Sequence, residues 1–272
     1  MLYRIEVISD RGTSLVLPLQ EISDGYFVTD VEGLNPVKAN LVSSSFATMD
    51  GAQYQSSRRE ARNIILKLSM ELGTTPVSVL RSRLYTFFMP KTSVKLRFYV
   101  EGMPIVEIEG RVEAFDSVLF SQSPEVAITM LCFDPDFYTI DKLQIPAATT
   151  PETDEVLIDY AGSVETGVLF RLSLNRDLVE GFSITHRSSD DSISTLDFLT
   201  PLSVGDVLEI STVAGAKGVT LIRADTTTSV LYGITPYSSW LNLFPGPNYI
   251  RIHAEGVPIP YQIEFTTKYG GL

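Results

Sequence analysis

Apolar and polar positions alternate along much of the chain, which is the pattern of β-strands with one buried face. The alternation is clearest at residues 96–100 and 106–113, which the short turn Glu101-Gly102 joins into an antiparallel hairpin. The same pattern predicts strands at residues 2–8, 14–19 and 125–132. The first half of the chain is therefore predicted to be a β-meander with one polar face.

One stretch has the spacing of an amphipathic helix. Apolar residues recur every three or four positions between Val77 and Phe88, Thr75 suits the N-cap, and Pro76 suits the first helical position. Met89-Pro90 ends the pattern. We expect a helix over residues 76–88 that covers a sheet, since its apolar stripe carries no polar group that could orient a cofactor.

The segment Gln144–Thr153 is small, polar and interrupted by two prolines, and it predicts a domain boundary near residue 143. Residues 1–143 then form an N-terminal domain, and residues 144–272 form a second domain without a convincing helix. Strands are predicted there at 156–160, 167–174, 181–186, 194–199, 207–211, 219–223, 240–243, 248–253 and 259–266. Their short spacing favours a β-sandwich.

The composition is that of a folded, acidic protein. Of 272 residues 44% are hydrophobic, and 33 acidic against 21 basic residues give a net charge of -12, so a general nucleic-acid-binding surface is not expected. One cysteine and two histidines exclude an intrachain disulfide and leave too few ligands for a Cys/His zinc site. No apolar run suits a membrane span, and no secretory signal is recognised at the first residues.

No arrangement of residues predicts catalysis, a metal site or a cofactor site. The sequence has no Gly-x-Ser-x-Gly motif that would present a nucleophilic serine, and its two histidines, His186 and His253, lie in predicted strands. Several carboxylates are paired or aligned, but none has a spacing that suits acid–base chemistry. They are Asp134 and Asp136, Asp190 and Asp191, and the row Glu107, Glu109 and Glu113. The protein is therefore predicted not to be an enzyme.

The densest basic cluster is Arg58, Arg59 and Arg62. It could contact phosphates, but Glu60 lies within it and the whole protein is acidic. Pairing with carboxylates of the same or a neighbouring subunit is the better interpretation. These three arginines are predicted to lie at a subunit interface.

Several segments resemble, in order, motifs of siphophage distal tail proteins. They are Gly33-Leu34-Asn35-Pro36-Val37-Lys38-Ala39, Asp50–Ile64 with its Ser-Arg-Arg run, Cys132-Phe133-Asp134-Pro135-Asp136-Phe137-Tyr138, and Leu243–Ile250 followed by Lys268-Tyr269-Gly270-Gly271. The predicted helix falls where these proteins carry the helix that covers their ring-forming sheet. None of these motifs is catalytic.

The resemblance implies a mostly β protein with two domains. The first is a β-sandwich or barrel-like ring-forming domain with one covering helix, and the second is a galectin-like or carbohydrate-module-like β-sandwich. It further implies a homohexameric ring in the virion, at the tip of a long non-contractile tail and made in the host cytoplasm. The six-fold order comes from the resemblance alone.

The implied ring joins the tail tube protein to the tail-tip hub protein and offers a docking platform to receptor-binding proteins. Its axial channel passes the tape measure protein and the DNA, and a net negative charge suits a channel that does not hold DNA. Glu107, Glu109 and Glu113 are candidate channel-lining residues, with a plain solvated strand as the other interpretation. Ring closure would also cover strand edges that aggregate in a monomer.

A host-surface carbohydrate-binding module of a tail or baseplate is the alternative function. Its candidate sugar contacts are the aromatic residues Tyr232, Tyr237 and Trp240. The alternation around Trp240 favours a core position for that side chain. A glycosidase is the third hypothesis, and it lacks a carboxylate pair with a suitable spacing.

Overall fold

The computed structural model describes residues 1–19, 21–45, 50–71, 75–118, 124–224 and 226–272. The chain divides into two compact units, unit 1 with Met1–Ile140 and Tyr269–Leu272, and unit 2 with Asp141–Lys268. The sequence expectation assigns the last residues to the second domain, whereas Tyr269 and Leu272 pack against the core of unit 1. In the described ranges, no helix has the length and apolar character needed to cross a membrane.

Unit 1 is a curved antiparallel sheet with one helix against it. Its elements are β1 (Leu2–Ser9), β2 (Ser14–Pro18), β3 (Tyr26–Glu32), β4 (Ala39–Ser44), β5 (Gln53–Arg59), β6 (Arg62–Met70), α1 (Val77–Phe88), β7 (Ser93–Val100), β8 (Val106–Ser117), β9 (Glu125–Cys132) and β10 (Phe137–Thr139). The main sheet has the order β2-β1-β7-β8-β9-β6-β3, and β4 pairs with β5 in a separate ribbon. The edge strands β2 and β3 contact each other, so the main sheet curls toward a barrel.

The core of unit 1 lies between the inner face of this sheet and α1. On β9 every second residue is buried, as the alternation predicts. The helix adds four buried side chains on one face, Leu80, Leu84, Phe87 and Phe88. The predicted core-covering helix is confirmed, but it begins at Val77. Pro76 has extended backbone (ψ 138°) and is the N-cap, since its carbonyl oxygen accepts the first helical bond, from the amide of Leu80 at 3.2 Å.

Unit 2 is a β-sandwich. Its strands are β11 (Leu143–Ala148), β12 (Val156–Tyr160), β13 (Thr166–Gly167), β14 (Leu169–Ser173), β15 (Phe182–Arg187), β16 (Ile193–Phe198), β17 (Val207–Ser211), β18 (Gly218–Arg223), β19 (Thr226–Ser229), β20 (Asn242–Leu243), β21 (Gly246–His253) and β22 (Pro260–Phe265). A sheet of order β11-β22-β14-β17-β18-β19 and one of order β12-β21-β15-β16 enclose a single apolar core. The short strand β23 (Lys268–Tyr269) lies where unit 2 ends and the C-terminal residues of unit 1 begin.

The fold class predicted from the sequence, mostly β with one helix among the described residues, is confirmed. Part of the segment Gln144–Thr153, on which the predicted domain boundary rests, is a strand, because β11 pairs along its whole length with β22. Pro146 fits there because β11 is an edge strand, whose outward side needs no backbone donor.

Candidate functional site

Arg62, the first residue of β6, is 1% exposed and is enclosed by its own chain. Its Nε donates to the carbonyl oxygen of Pro135 at 2.7 Å, and its Nη1 donates to those of Gly33 and Asn35 at 2.5 and 2.7 Å. Its Nη2 donates to the carbonyl oxygen of Gly270 at 2.6 Å. One buried cation therefore satisfies four backbone acceptors through charge-assisted hydrogen bonds.

We call Arg62 and the four carbonyl groups that it binds the arginine joint. The carbonyl groups come from the loop before β4, the loop between β9 and β10, and the segment after β23, which are distant in sequence. The guanidinium carbon also lies 4.4 Å from the ring centroid of Phe137, and the amide of Leu272 donates to the carbonyl oxygen of Leu34 at 3.0 Å. The joint thus unites segments that carry the resemblance to distal tail proteins.

Arg59, the last residue of β5, forms a bidentate ion pair with Asp136 beside the arginine joint. Its Nη2 lies 2.9 Å from Oδ2, and its Nη1 contacts Oδ1. Asp136 is buried, and a buried carboxylate requires such a partner because it has lost its hydration. Asp134 accepts the hydroxyl of Tyr138, and burial together with this contact raises the pKa of that phenol.

The arginine joint and this ion pair hold the base of the β4–β5 ribbon. Ala39 pairs with Arg59 at its base, and the amide of Glu60 donates to the carbonyl oxygen of Lys38 at 3.0 Å. Every residue of the ribbon is exposed except Ser44, which is half-buried. A two-stranded ribbon without a buried face is marginally stable in isolation, so its order depends on the anchored base.

The ribbon carries apolar side chains on both faces. Leu41 is 66% exposed and pairs with Ser57, whose hydroxyl lies 2.7 Å from that of Tyr54, so Leu41 and Tyr54 share one face. Val42 and Arg58 lie on the other face, because their positions alternate with those of Leu41 and Ser57. Exposed apolar groups on an uncovered ribbon are typical of a surface that another chain covers.

The structure separates the three arginines that the sequence predicts to be at a subunit interface. Arg58 is exposed on the ribbon, and Arg59 pairs with Asp136 at its base. For these two residues the interface stays a prediction. Arg62 differs, because its donors bind carbonyl groups of its own chain and its side chain has almost no exposed surface. We therefore infer an internal structural role for Arg62 in place of an intersubunit contact.

The predicted channel-lining carboxylates lie on β8 and point away from the core. Glu107 is half-buried and contacts Lys95 Nζ at 2.8 Å and Arg97 Nε at 3.1 Å, so two cations of β7 compensate its charge. Glu109 is exposed and accepts the hydroxyl of Ser93 at 2.7 Å, and Glu113 is exposed beside an irregularity in the β8–β9 register. The outer face is therefore mixed in charge, and a channel-lining role stays a prediction.

The predicted sugar contacts lie in the loop region between β19 and β20 of unit 2. Tyr232 and Tyr237 are exposed, the latter at 95%. Trp240 is half-buried against the core of unit 2, and the ammonium of Lys217 lies 5.8 Å from its ring centroid. Of the three predicted contacts, only the two tyrosines thus present exposed rings, and carbohydrate binding stays a prediction.

The side chains of the single cysteine and the two histidines are buried or half-buried. Cys132 is buried, and burial raises the pKa of its thiol to about 11, although Arg62 opposes the shift. His186 is buried in unit 2 and His253 is half-buried at the end of β21. Within the described ranges, no group of three or more His, Cys, Asp or Glu side chains could hold a metal ion.

The proton on His186 is placed by its partner Asn248. The carboxamide nitrogen of Asn248 donates to the carbonyl oxygens of Phe244 and Gly246, both at 2.7 Å, so its oxygen faces His186 Nε2 at 3.0 Å. That oxygen can only accept, hence Nε2 carries a hydrogen and donates it. Burial lowers the pKa of His186, with the hydrogen bond to Asn248 acting in the opposite direction.

This histidine predicts a loss of stability of unit 2 in mild acid. Its ordinary pKa is 6.5, and the folded value is lower, so the unfolded chain binds the proton first. The contribution of His186 to the free energy of unfolding is complete well above pH 6.5. It falls, by at most about 1.4 kcal/mol per pH unit, as the pH drops toward the folded pKa. Urea unfolding followed by Trp240 fluorescence between pH 7 and pH 5 measures this slope. His186→Gln should flatten it, and His253→Gln is the control. An equal slope in wild type and His186→Gln would contradict the assignment.

No protein-family model matches this chain, and no curated protein sequence matches it. Solved structures of phage proteins are similar to it. The SPP1 Dit protein, described as a paradigm of the hub adsorption apparatus in phages that infect Gram-positive bacteria, superposes with a TM-score of 0.70 at 16% identity, over 97% of this chain and 98% of that one. A chain of the phage P2 baseplate, in its activated conformation with Ca, gives a TM-score of 0.48 at 10% identity over 100% of both chains. The chain therefore has the fold of the SPP1 Dit protein, as the motifs predict.

Proposed function

We propose that this protein is a structural component of a phage tail tip, where six copies form a ring that joins the tail tube to the tip hub. The observation that carries the proposal is the match to the SPP1 Dit hub protein, which extends over nearly the full length of both chains. The ring belongs to the virion, is made in the host cytoplasm and performs no catalysis. Receptor-binding or other tip proteins dock on its outer surface.

The β4–β5 ribbon supports self-assembly. It is exposed on both faces, carries Leu41, Val42 and Tyr54, and is anchored at its base by the Arg59–Asp136 ion pair. Covering such a ribbon with a neighbouring subunit would remove apolar surface from water and would protect its strand edges. A cyclic arrangement covers this surface in every copy.

The charge of the protein supports passage of the tape measure protein and the DNA without retention. The net charge is -12, which repels a polyanion from any surface that does not concentrate cations. Glu109 and Glu113 are the better candidates for an acidic channel wall, because Lys95 and Arg97 already compensate Glu107.

Leu41→Asp is expected to reduce the oligomer to monomers while the far-ultraviolet circular dichroism spectrum, which reports the fold of each subunit, stays that of wild type. A buried carboxylate would oppose subunit contact, whereas Leu41 is exposed in the monomer and its replacement removes no internal packing. Native mass spectrometry and analytical ultracentrifugation of the wild type and the variant measure the effect.

Leu157→Asp is the matched control, because Leu157 is an exposed leucine on β12 of unit 2 and receives the same change. This control should keep the hexameric mass. A wild type that remains monomeric at high concentration would count against the ring. A hexamer that survives Leu41→Asp would count against the ribbon as its contact surface.

A further inference from the structure

A preformed cleft lies on unit 2, away from Tyr232, Tyr237 and Trp240. Its volume is about 670 Å³, and it is lined by residues 176–183, by Asp197 and Leu199, and by residues 253–255. We call it the 176–183 cleft. Its volume lies within the range of sites that bind a small ligand or a peptide side chain.

Backbone contacts hold the walls of this cleft in place. Leu178 and Leu202 exchange two amide-to-carbonyl hydrogen bonds of 2.9 Å. Gly181 has φ +78°, and a Cβ there would lie 1.9 Å from the carbonyl oxygen of Phe198, so only glycine lets the wall approach β16 this closely. The Arg176 guanidinium donates to the carbonyl oxygens of Val257 and Glu255, and so connects the wall of residues 176–183 to that of residues 253–255. A cleft built in this way needs little ordering when a partner binds.

The lining of the cleft is acidic. Four carboxylates, those of Asp177, Glu180, Asp197 and Glu255, line it with one guanidinium, that of Arg176, and with His253, whose Nε2 lies 3.5 Å from Oε1 of Glu255. The donors of Arg176 go to backbone carbonyl oxygens. The carboxylate of Asp177 accepts the amide of Val204 at 2.8 Å, and that of Asp197 accepts the hydroxyl of Ser183 at 2.6 Å. Among the described residues, these carboxylates form no ion pair with a lysine or arginine.

Exposed aliphatic side chains border these carboxylates. Val179 is 71% exposed and Leu199 is 59% exposed, both in the lining of the cleft. Val204 is also exposed, and its amide binds the carboxylate of Asp177. Aliphatic groups beside uncompensated carboxylates match a segment in which a cation is flanked by apolar residues.

We propose that the 176–183 cleft binds an extended segment of another protein, in which a lysine or arginine enters the cleft and flanking aliphatic residues cover Val179 and Leu199. Charge complementarity selects this occupant, because the cation would meet carboxylates that no internal Lys or Arg neutralises. The inference rests on the proposed function, in that it gives the docking platform a defined site and a defined partner chemistry.

The test is a selection of random nine-residue peptides, displayed on their own mRNA, against the immobilised full-length protein. The enriched peptides are expected to share a central lysine or arginine with aliphatic neighbours. Binding of the best peptide, measured by fluorescence anisotropy, should fall about tenfold in Glu180→Lys, where a like charge faces the peptide, and severalfold in Val179→Ser. Both residues are exposed, so these changes spare the core of unit 2.

Glu165→Lys is the matched control, since it makes the same change in net charge at an exposed position of unit 2 outside the cleft. It should leave binding within twofold of wild type. No enrichment, or an equal loss in both charge variants, would overturn the proposal. Native mass spectrometry distinguishes failure of the cleft proposal from failure of the ring proposal. A hexamer that binds no such peptide refutes the cleft proposal alone. An oligomer that dissociates in Glu180→Lys identifies a second copy of this chain as the occupant of the cleft, and this result also refutes the cleft proposal.

Discussion

Arg62→Met is expected to lower the free energy of unfolding of unit 1 by about 4 kcal/mol. Methionine keeps an unbranched apolar stem but lacks the guanidinium, so the contact of that group with the Phe137 ring is lost together with its hydrogen bonds. The loss then reports mainly the four charge-assisted hydrogen bonds to the carbonyl groups of Gly33, Asn35, Pro135 and Gly270. Each hydrogen bond to a charged group contributes about 1.5–3 kcal/mol, and local relaxation offsets part of the loss.

Hydrogen exchange read by mass spectrometry is the suitable measurement, because it follows unit 1 separately from unit 2. Peptides that cover β6 and the loop before β4 should exchange far faster in the variant, while those from β15 and β21 stay unchanged. Arg58→Met is the matched control: Arg58 is exposed on the ribbon, and its replacement should cost no more than about 0.5 kcal/mol. Equal protection in the two variants would contradict the role of the arginine joint.

Gly33→Ala is expected to be at least as damaging. Gly33 has φ +88°, and a Cβ at this position would lie 2.0 Å from the carbonyl oxygen of Asn63, a backbone atom that cannot move aside alone. The carbonyl oxygen of Gly33 also accepts a hydrogen bond from Arg62, so a shift of the backbone would weaken the arginine joint as well. We expect a loss of about 4 kcal/mol or a failure to fold.

Gly102→Ala is the control that separates the effect of the steric clash on stability from the effect of the backbone conformation. Gly102 has φ +77°, and a Cβ there would meet nothing within 4 Å, so alanine carries only the intrinsic cost of a left-handed conformation, about 1 kcal/mol. Urea unfolding followed by far-ultraviolet circular dichroism compares the two variants. Losses of similar size would show that close approach to Asn63 is unimportant.

Both predictions concern residues whose internal role the sequence does not reveal. Gly33 and Arg62 belong to segments that match distal tail motifs, yet their spacing does not reveal why these residue types occur there. The reasons are tertiary: the backbone of Gly33 meets Asn63, and Arg62 faces carbonyl groups from three remote segments. An arginine in a basic cluster is usually exposed, so composition alone favours the interface interpretation for Arg62.

The strands were predictable to different degrees. β9 begins and ends at the residues that the alternation predicts, because one face of this strand lies in the core. β6 was not among the predicted strands, although it carries the same signal in Ile64, Leu66 and Leu68, which are buried while Asn63 and Lys67 are not. β4 and β5 have no buried face, so their sequences contain no periodicity that could predict them.

The sequence by itself determined the mostly β class, the helix predicted at residues 76–88, the acidic character and the resemblance to distal tail proteins. These properties depend on local patterns of residues and on composition. Only the tertiary structure decided that Arg62 is internal, that Glu107 is paired with Lys95 and Arg97, and that Tyr269–Leu272 belong to unit 1. The physical reason is that the environment of a charged side chain is set by the groups that the fold brings to it, and those groups come from segments far away in the chain.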